Sequence, residues 1–406
     1  MIKKKTFQIR NNFGYKKKLL IVLGLLIISL FLTISSYNAK AETNNDIDIN
    51  QEISHGVQDI VSGIDFNELD GIVENLDTLD LFNGGVKEKL IQILNGEYFV
   101  NYTSLFTSIL SIFFLDIREI LPLIFTLLAI GILSNLISEL KHENSSVGDI
   151  VYFVCFSIMV ITILFVFKDL LILTSEAIST IVKQMQVVFP LLITMLTSIG
   201  SISSVSIYNP MVAVLTTIVS LVFEKFLYPV FIVMFLFAIL GNLSKTIKLD
   251  KFQSFLSSTF KWVVGLIFTL FAGFLSIQGI SAGKFDSISI KATKFAVKSY
   301  IPIIGSYISD GMDFLVLGSV LVKNSIGLIG ILVLFVSIIS PIISILVIKL
   351  GMHLSSAVLE MAGNSRMSNF LLTCSKILIY PIVIILGISF MYIITVSLIM
   401  CTANIF

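Results

Sequence analysis

Charge is what this sequence has least of. Only 13% of its 406 residues are Asp, Glu, Lys or Arg, against 56% hydrophobic residues and a mean hydropathy of +0.99. Soluble domains carry about 25% charged residues, so the deficit excludes an ordinary water-soluble domain. The net charge of +1 argues against a nucleic-acid partner. Cysteine is nearly absent: Cys155, Cys374 and Cys401 all lie in apolar stretches without motif spacing, which excludes a disulfide framework and a thiolate metal site. The histidines, His55, His142 and His353, are far apart and lack metal-ligand spacing. No G-x-x-x-x-G-K-[ST] phosphate loop, H-E-x-x-H or G-x-S-x-G occurs. No catalytic residue, cofactor site or metal site is therefore expected.

Proline is also scarce, at seven residues, yet its placement is regular. Pro190 and Pro229 are 39 apart, as are Pro302 and Pro341, while Pro122 precedes Pro190 by 68 and Pro229 precedes Pro302 by 73. A proline in an apolar segment interrupts helical hydrogen bonding and leaves backbone groups to be satisfied elsewhere. Repeated at a period, it suggests duplicated membrane units.

What is present is apolar sequence in long stretches. Residues 1–41 carry a basic start (Lys3, Lys4, Lys5, Arg10, Lys16, Lys17, Lys18), an apolar run from Leu19 to Ile34 and Ala39-Lys40-Ala41. This is the plan of a signal peptide, or else of an uncleaved first span. Both place residue 42 onward outside the cytoplasm. Residues 42–104 are acidic, with apolar residues at helical spacing (Val57, Ile60, Val61, Ile64; Leu69, Ile72, Val73, Leu76). They read as an extracytoplasmic helical segment, either packed on a membrane bundle or docking a protein.

The fold class expected is an all-α polytopic membrane protein. Six full-length spans are counted, at 120–138, 150–167, 226–243, 262–281, 341–358 and 377–400. Two proline-initiated hairpins, re-entrant or spanning, are expected at 187–224 and 301–340. Amphipathic stretches at 168–186 and 284–300 precede them and suit the membrane interface. Asn135 and Asn242 each follow a proline (Pro122, Pro229) by 13 residues, and the spacing of Lys251, Phe255, Leu256 and Lys261 recurs in Arg366, Phe370, Leu371 and Lys376. The membrane part divides on this basis into repeats at 105–228 and 229–340 and a partial third at 341–406. Their proline spans all run outside to inside, as parallel repeats.

Charges at membrane depth are the functional candidates. Lys349, His353 and Glu360 share a helical face; they line a polar path or mark the cytoplasmic end of a span and snorkel. Asp310 and Asp313 lie near Gly305 and Gly311, as a solute or ion site or as a solvated hairpin tip. Glu224 and Lys225 read as an interfacial pair. Asn135 and Asn242 are placed to hydrogen-bond across helices, at about 1 kcal/mol each.

One string carries a family resemblance. Ile277-Gln278-Gly279, Lys291-Ala292-Thr293-Lys294-Phe295, Tyr300-Ile301-Pro302-Ile303-Ile304-Gly305, Asp310 and Lys323-Asn324-Ser325-Ile326-Gly327, with the leader and the acidic segment, resemble the stage III sporulation protein AE family over roughly residues 42–406. The resemblance implies a multi-pass subunit of the mother cell–forespore channel, in the mother-cell membrane around the forespore. It implies other stage III A-operon proteins as partners: a separate ATPase, ring-forming membrane proteins and a forespore membrane protein. A need in late forespore development follows too, and no site residue is carried over. Membrane lipid is the remaining contact. The alternative is a stand-alone secondary transporter or permease for a small solute, using Asp310 and Asp313.

Overall fold

A computed structural model describes residues 60–76, 81–82, 84–97, 102–139, 147–243, 249–279, 291–292, 295, 298 and 305–402. The chain divides into two units, Met1–Ser54 and His55–Phe406, and every described residue belongs to the second. The expected leader at 1–41, Pro302 and most of 284–300 lie outside the described residues.

No strand occurs among the described residues. Two short helices come first, α1 (Asn67–Leu76) and α2 (Val86–Leu94). Their helically spaced Leu69, Val73, Val86, Leu90 and Ile93 are buried. Gly85, the N-cap of α2, has φ 89 and no side chain to offer. Asp70 of α1 does that work instead, accepting from the Val86 N–H at 2.7 Å, a favourable place for an anion.

The membrane part is built of long helices: α3 (Tyr102–Glu139), α4 (Val147–Ser198), α5 (Ile202–Ile218), a π-helical segment (Val219–Leu227), α6 (Tyr228–Leu243), α7 (Asp250–Gly279), α8 (Gly305–Met361), α9 (Ser365–Ile377) and α10 (Ile379–Cys401). Six stretches among them are long and apolar enough to cross a membrane: Thr103–Ile137, Ile150–Ser198, Ile202–Asn242, Lys251–Ser276, Leu315–Met361 and Ser365–Cys401. The chain is therefore an all-α polytopic membrane protein. The α1–α2 pair packs on α8.

The proline hairpins differ from expectation. Residues 305–361 form one 57-residue helix, with Pro341 in its middle, so the chain does not reverse within 305–340. Pro190 likewise lies inside the 52-residue α4. The chain does reverse at 199–201, where Gly200 has φ 83, but proline does not initiate that turn. The amphipathic 168–186 stretch is the middle of α4 rather than a separate interfacial helix. Proline removes one helical hydrogen bond; a helix continues through it when neighbouring helices or side chains satisfy the freed group. The tolerated defect is visible before Pro229, which has no N–H for the Lys225 carbonyl. There the chain widens into the π register over Val219–Leu227. At 1.5 Å per residue, α4 and α8 reach about 78 and about 86 Å, far beyond a hydrocarbon core of about 30 Å.

The helices are sorted by burial. α8 and α10 form the centre, with Val322, Ile326, Val333, Leu334, Ile345, Ile384, Ile388 and Val396 each at most 1% exposed. α3, α4 and α7 turn apolar faces outward, including Phe114, Phe125, Phe165, Trp262 and Leu270, as lipid-facing helices do.

Contacts give the helix directions. Asp116 meets Ser344, Gly131 faces Leu359 and Asn135 meets Ala362, so α3 and α8 run parallel. Gln184–Ser337 and Val188–Gly330 make α4 antiparallel to α8. Phe156 packs on Phe370 with ring centroids 5.1 Å apart, and Arg366 lies over the Tyr152 ring at 4.9 Å. Phe167 stacks on Phe235 at 3.4 Å, joining α4 to α6.

Candidate functional site

Between Asp313 and Lys349 the sequence holds a single charged residue, Lys323. It is fully buried on α8, at 0% exposure. An ammonium out of water must be matched by close acceptors. Lys323 Nζ donates to the Met400 carbonyl at 3.0 Å and to the Thr402 carbonyl. These are last-turn carbonyls of α10, which no intrahelical donor satisfies and where the helix dipole is negative. Tyr208 of α5 ties the same end, its hydroxyl 2.7 Å from Thr402 Oγ1. A charge that looks misplaced in sequence thus fastens the end of the last described helix.

A polar seam follows α8 from this point. Gly327 and Gly330 let α10 approach: a Cβ at Gly327 would meet Met400, and one at Gly330 would lie 2.7 Å from the Tyr392 hydroxyl and 2.8 Å from Val188 Cγ1. Gln184 of α4 donates through Nε2 to Ser337 Oγ, which donates to the Val333 carbonyl at 2.8 Å. Ser337 stands four residues before Pro341, so its own carbonyl receives no helical N–H from that residue. Ser344 donates to Asp116 of α3 at 2.8 Å. Ser356 and Ser368 exchange bonds at 2.8 Å, and Ser375 donates to the Lys349 carbonyl at 3.0 Å, closing α9 onto α8. At the far end Asn364 accepts from the Met367 N–H as the cap of α9 and donates to the Gly131 carbonyl at 3.1 Å. Small and hydroxyl residues at interhelical contacts are the means by which membrane helices associate.

The residues singled out by sequence reasoning distribute unevenly along this seam. Asn135 belongs to it, donating to the Ala362 carbonyl across helices. Asn242 donates to Ala238 of its own helix at 2.7 Å. Pro341 is buried in the seam, while Pro122, Pro190 and Pro229 are exposed. Asp310 and Asp313 lie near the start of α8, and Asp313 is half-buried. Lys349 is half-buried, whereas His353 and Glu360 are exposed, so these three do not converge on an interior path. Glu224 and Lys225 are exposed on the π segment. Among the described residues no group of three or more His, Cys, Asp or Glu is placed to hold a metal ion.

Lys323, Asp116, Gln184 and Tyr392 were missed. A lone lysine in an apolar run and a carboxylate 14 residues into a hydrophobic helix were signals in plain sight. Gln184 and Tyr392 carried none, because their importance lies in which helices face them.

The family model described as stage III sporulation protein AE matches residues 86–403. Stage III sporulation protein AE of Bacillus subtilis (strain 168) is 23% identical over 320 residues, which cover 78% of this chain and 80% of that protein. No solved structure matches.

Proposed function

Because the chain belongs to the stage III sporulation protein AE family, we propose that it is a non-enzymatic subunit of the membrane complex that joins mother cell and forespore. In this reading it sits in the mother-cell membrane around the forespore, with the α1–α2 segment in the space between the membranes. Its partners are the other stage III A-operon proteins, among them a separate ATPase, ring-forming membrane proteins and a forespore membrane protein. Its loss blocks late forespore development. The family match across 86–403 carries the proposal. Two structural features support it: a tightly tied core of α8, α9 and α10, and surrounding helices with broad outward apolar faces. That is the build of a scaffold within a larger membrane assembly.

The test is crosslinking and pull-down of the tagged full chain from sporulating cells during engulfment. Recovery of the A-operon proteins supports the reading, and a preparation free of every sporulation protein refutes it.

A second reading rests on the polar seam, since secondary transporters place polar groups on interrupted helices inside the bilayer. As a stand-alone permease, the purified chain transports a small solute in vesicles, and Asp310→Asn with Asp313→Asn abolishes the flux. A complex subunit is inert when reconstituted alone.

A further inference from the structure

We propose that the junction of α4, α8 and α10 binds a short file of ordered water, held by Gln184, Tyr392 and the backbone of α8 around Ser337. Gln184 is 0% exposed and spends Nε2 on Ser337, which leaves its carbonyl oxygen without a hydrogen-bond partner. Tyr392 is also 0% exposed, and its hydroxyl has no partner either.

The two groups belong to one place. The Tyr392 hydroxyl stands over Gly330, 2.7 Å from where a Cβ would be. Val188, one turn after Gln184, stands 2.8 Å from the same point. Ser337, the partner of Gln184, lies seven residues along α8 from Gly330. Pro341 withholds from the Ser337 carbonyl the N–H that any other residue would give it. A phenol donor and two acceptors, an amide oxygen and a main-chain oxygen, thus belong to the same junction within two turns of α8.

Leaving such groups unpaired in an apolar interior costs more than immobilising water between them. Buried water sits where two to four polar partners converge and apolar cavities stay dry. A cation is the less suitable occupant: no carboxylate is among these residues, and the Lys323 ammonium lies seven residues from Gly330 on the same helix, about 10 Å along its axis. The Gln184–Ser337 bond closes one end of the file.

The experiment is pulsed hydroxyl-radical labelling of the full chain in lipid nanodiscs, in ¹⁸O water, read by mass spectrometry. Radicals formed from bound water oxidise the side chains beside it. Tyr392 is expected to label several-fold faster than Phe231 and Phe235, both 0% exposed in an apolar contact with Phe167. Gln184→Leu removes one acceptor and is expected to slow labelling at Tyr392 while leaving the two phenylalanines unchanged. A Tyr392 rate no higher than theirs overturns the proposal. Equal labelling of Tyr392 in wild type and Gln184→Leu overturns it as well, since that marks opening of the bundle rather than a held file.

Discussion

Lys323 and Thr402, 79 residues apart in sequence, are joined by a hydrogen bond from the buried ammonium to a main-chain carbonyl at the end of α10. The bond is charge-assisted, and the Met400 carbonyl shares the same donor at 3.0 Å. Removing the donor leaves two carbonyls unpaired in the interior. Lys323→Ala is therefore expected to lower stability by about 2–3 kcal/mol, read as an earlier thermal transition in detergent. Lys323→Met keeps most of the packing and removes a buried charge, so its loss is smaller. Equal stability of Lys323→Ala and wild type would remove the clamp from the description.

Asp116 and Ser344 tie the helix of Pro122 to the helix of Pro341 at 2.8 Å. A double-mutant cycle with Asp116→Ala and Ser344→Ala is expected to show a coupling of about 1 kcal/mol, within the range measured for interhelical bonds in membranes. Cysteines tell parallel from antiparallel packing. Gly131→Cys with Leu359→Cys is expected to crosslink on oxidation in a chain whose own cysteines are replaced by serine. Gly131→Cys with Ser344→Cys is not. A crosslink only in the second pair would reverse the direction of α3.

The glycines of the central helix separate close packing from open surface. Gly330→Ala drives a methyl against the Tyr392 hydroxyl and Val188, and a cost of about 1–3 kcal/mol is expected. At Gly327 the obstacle is the end of the flexible Met400 side chain, so the loss is smaller. Gly265 on α7 has nothing within 4 Å of an added Cβ, and alanine there is expected to be neutral or to stabilise by up to about 1 kcal/mol. Thermal transitions of the three variants give the ranking; a Gly330→Ala protein as stable as Gly265→Ala contradicts it.

These outcomes depend on partners that composition does not reveal. The polytopic all-α class was legible because apolar runs of span length cannot fold otherwise. Asn135 was legible as a cross-helix donor from its place at the end of a span. The expected hairpins fail because Pro341 and Pro190 do not break their helices. Inside a bundle a proline costs one hydrogen bond, and neighbouring helices keep the helix going. The middle of α8 is buried and apolar round most of its circumference, so no periodicity marks which face meets α3, α4 or α10. The seam therefore became visible only once the helices were assembled. The charged middle of α4, with Lys168, Asp169, Glu176 and Lys183, cut one long helix into two apparent segments.

Orientation is the prediction that joins these points. Asn135–Ala362 sets the end of α3 beside the end of α8. Phe167–Phe231 and Phe167–Phe235 contacts, with the Tyr228 hydroxyl donating to the Leu171 carbonyl at 2.9 Å, run α6 antiparallel to α4. The last turns of α3, α6 and α8 and the first turns of α4, α7 and α9 therefore belong to one end of the bundle. Lys141, Lys245, Lys248, Lys251 and Arg366 lie in or next to them. Short basic connections favour the cytoplasm, but Lys284, Lys291, Lys294 and Lys298 lie in the stretch between α7 and α8, so the expected export of residue 42 onward decides the side and predicts that this end faces inward. Six crossings return the chain to the side from which it began, so a reporter fused after Phe406 is expected on the extracytoplasmic side, with α1 and α2. Single cysteines at Ser145 and Ser244 are expected to react with a membrane-impermeant thiol reagent only after the cells are opened. A cytoplasmic signal from the Phe406 fusion would mean an odd number of crossings. In that case one of the long helices, with α7 the least buried, lies along the membrane rather than through it.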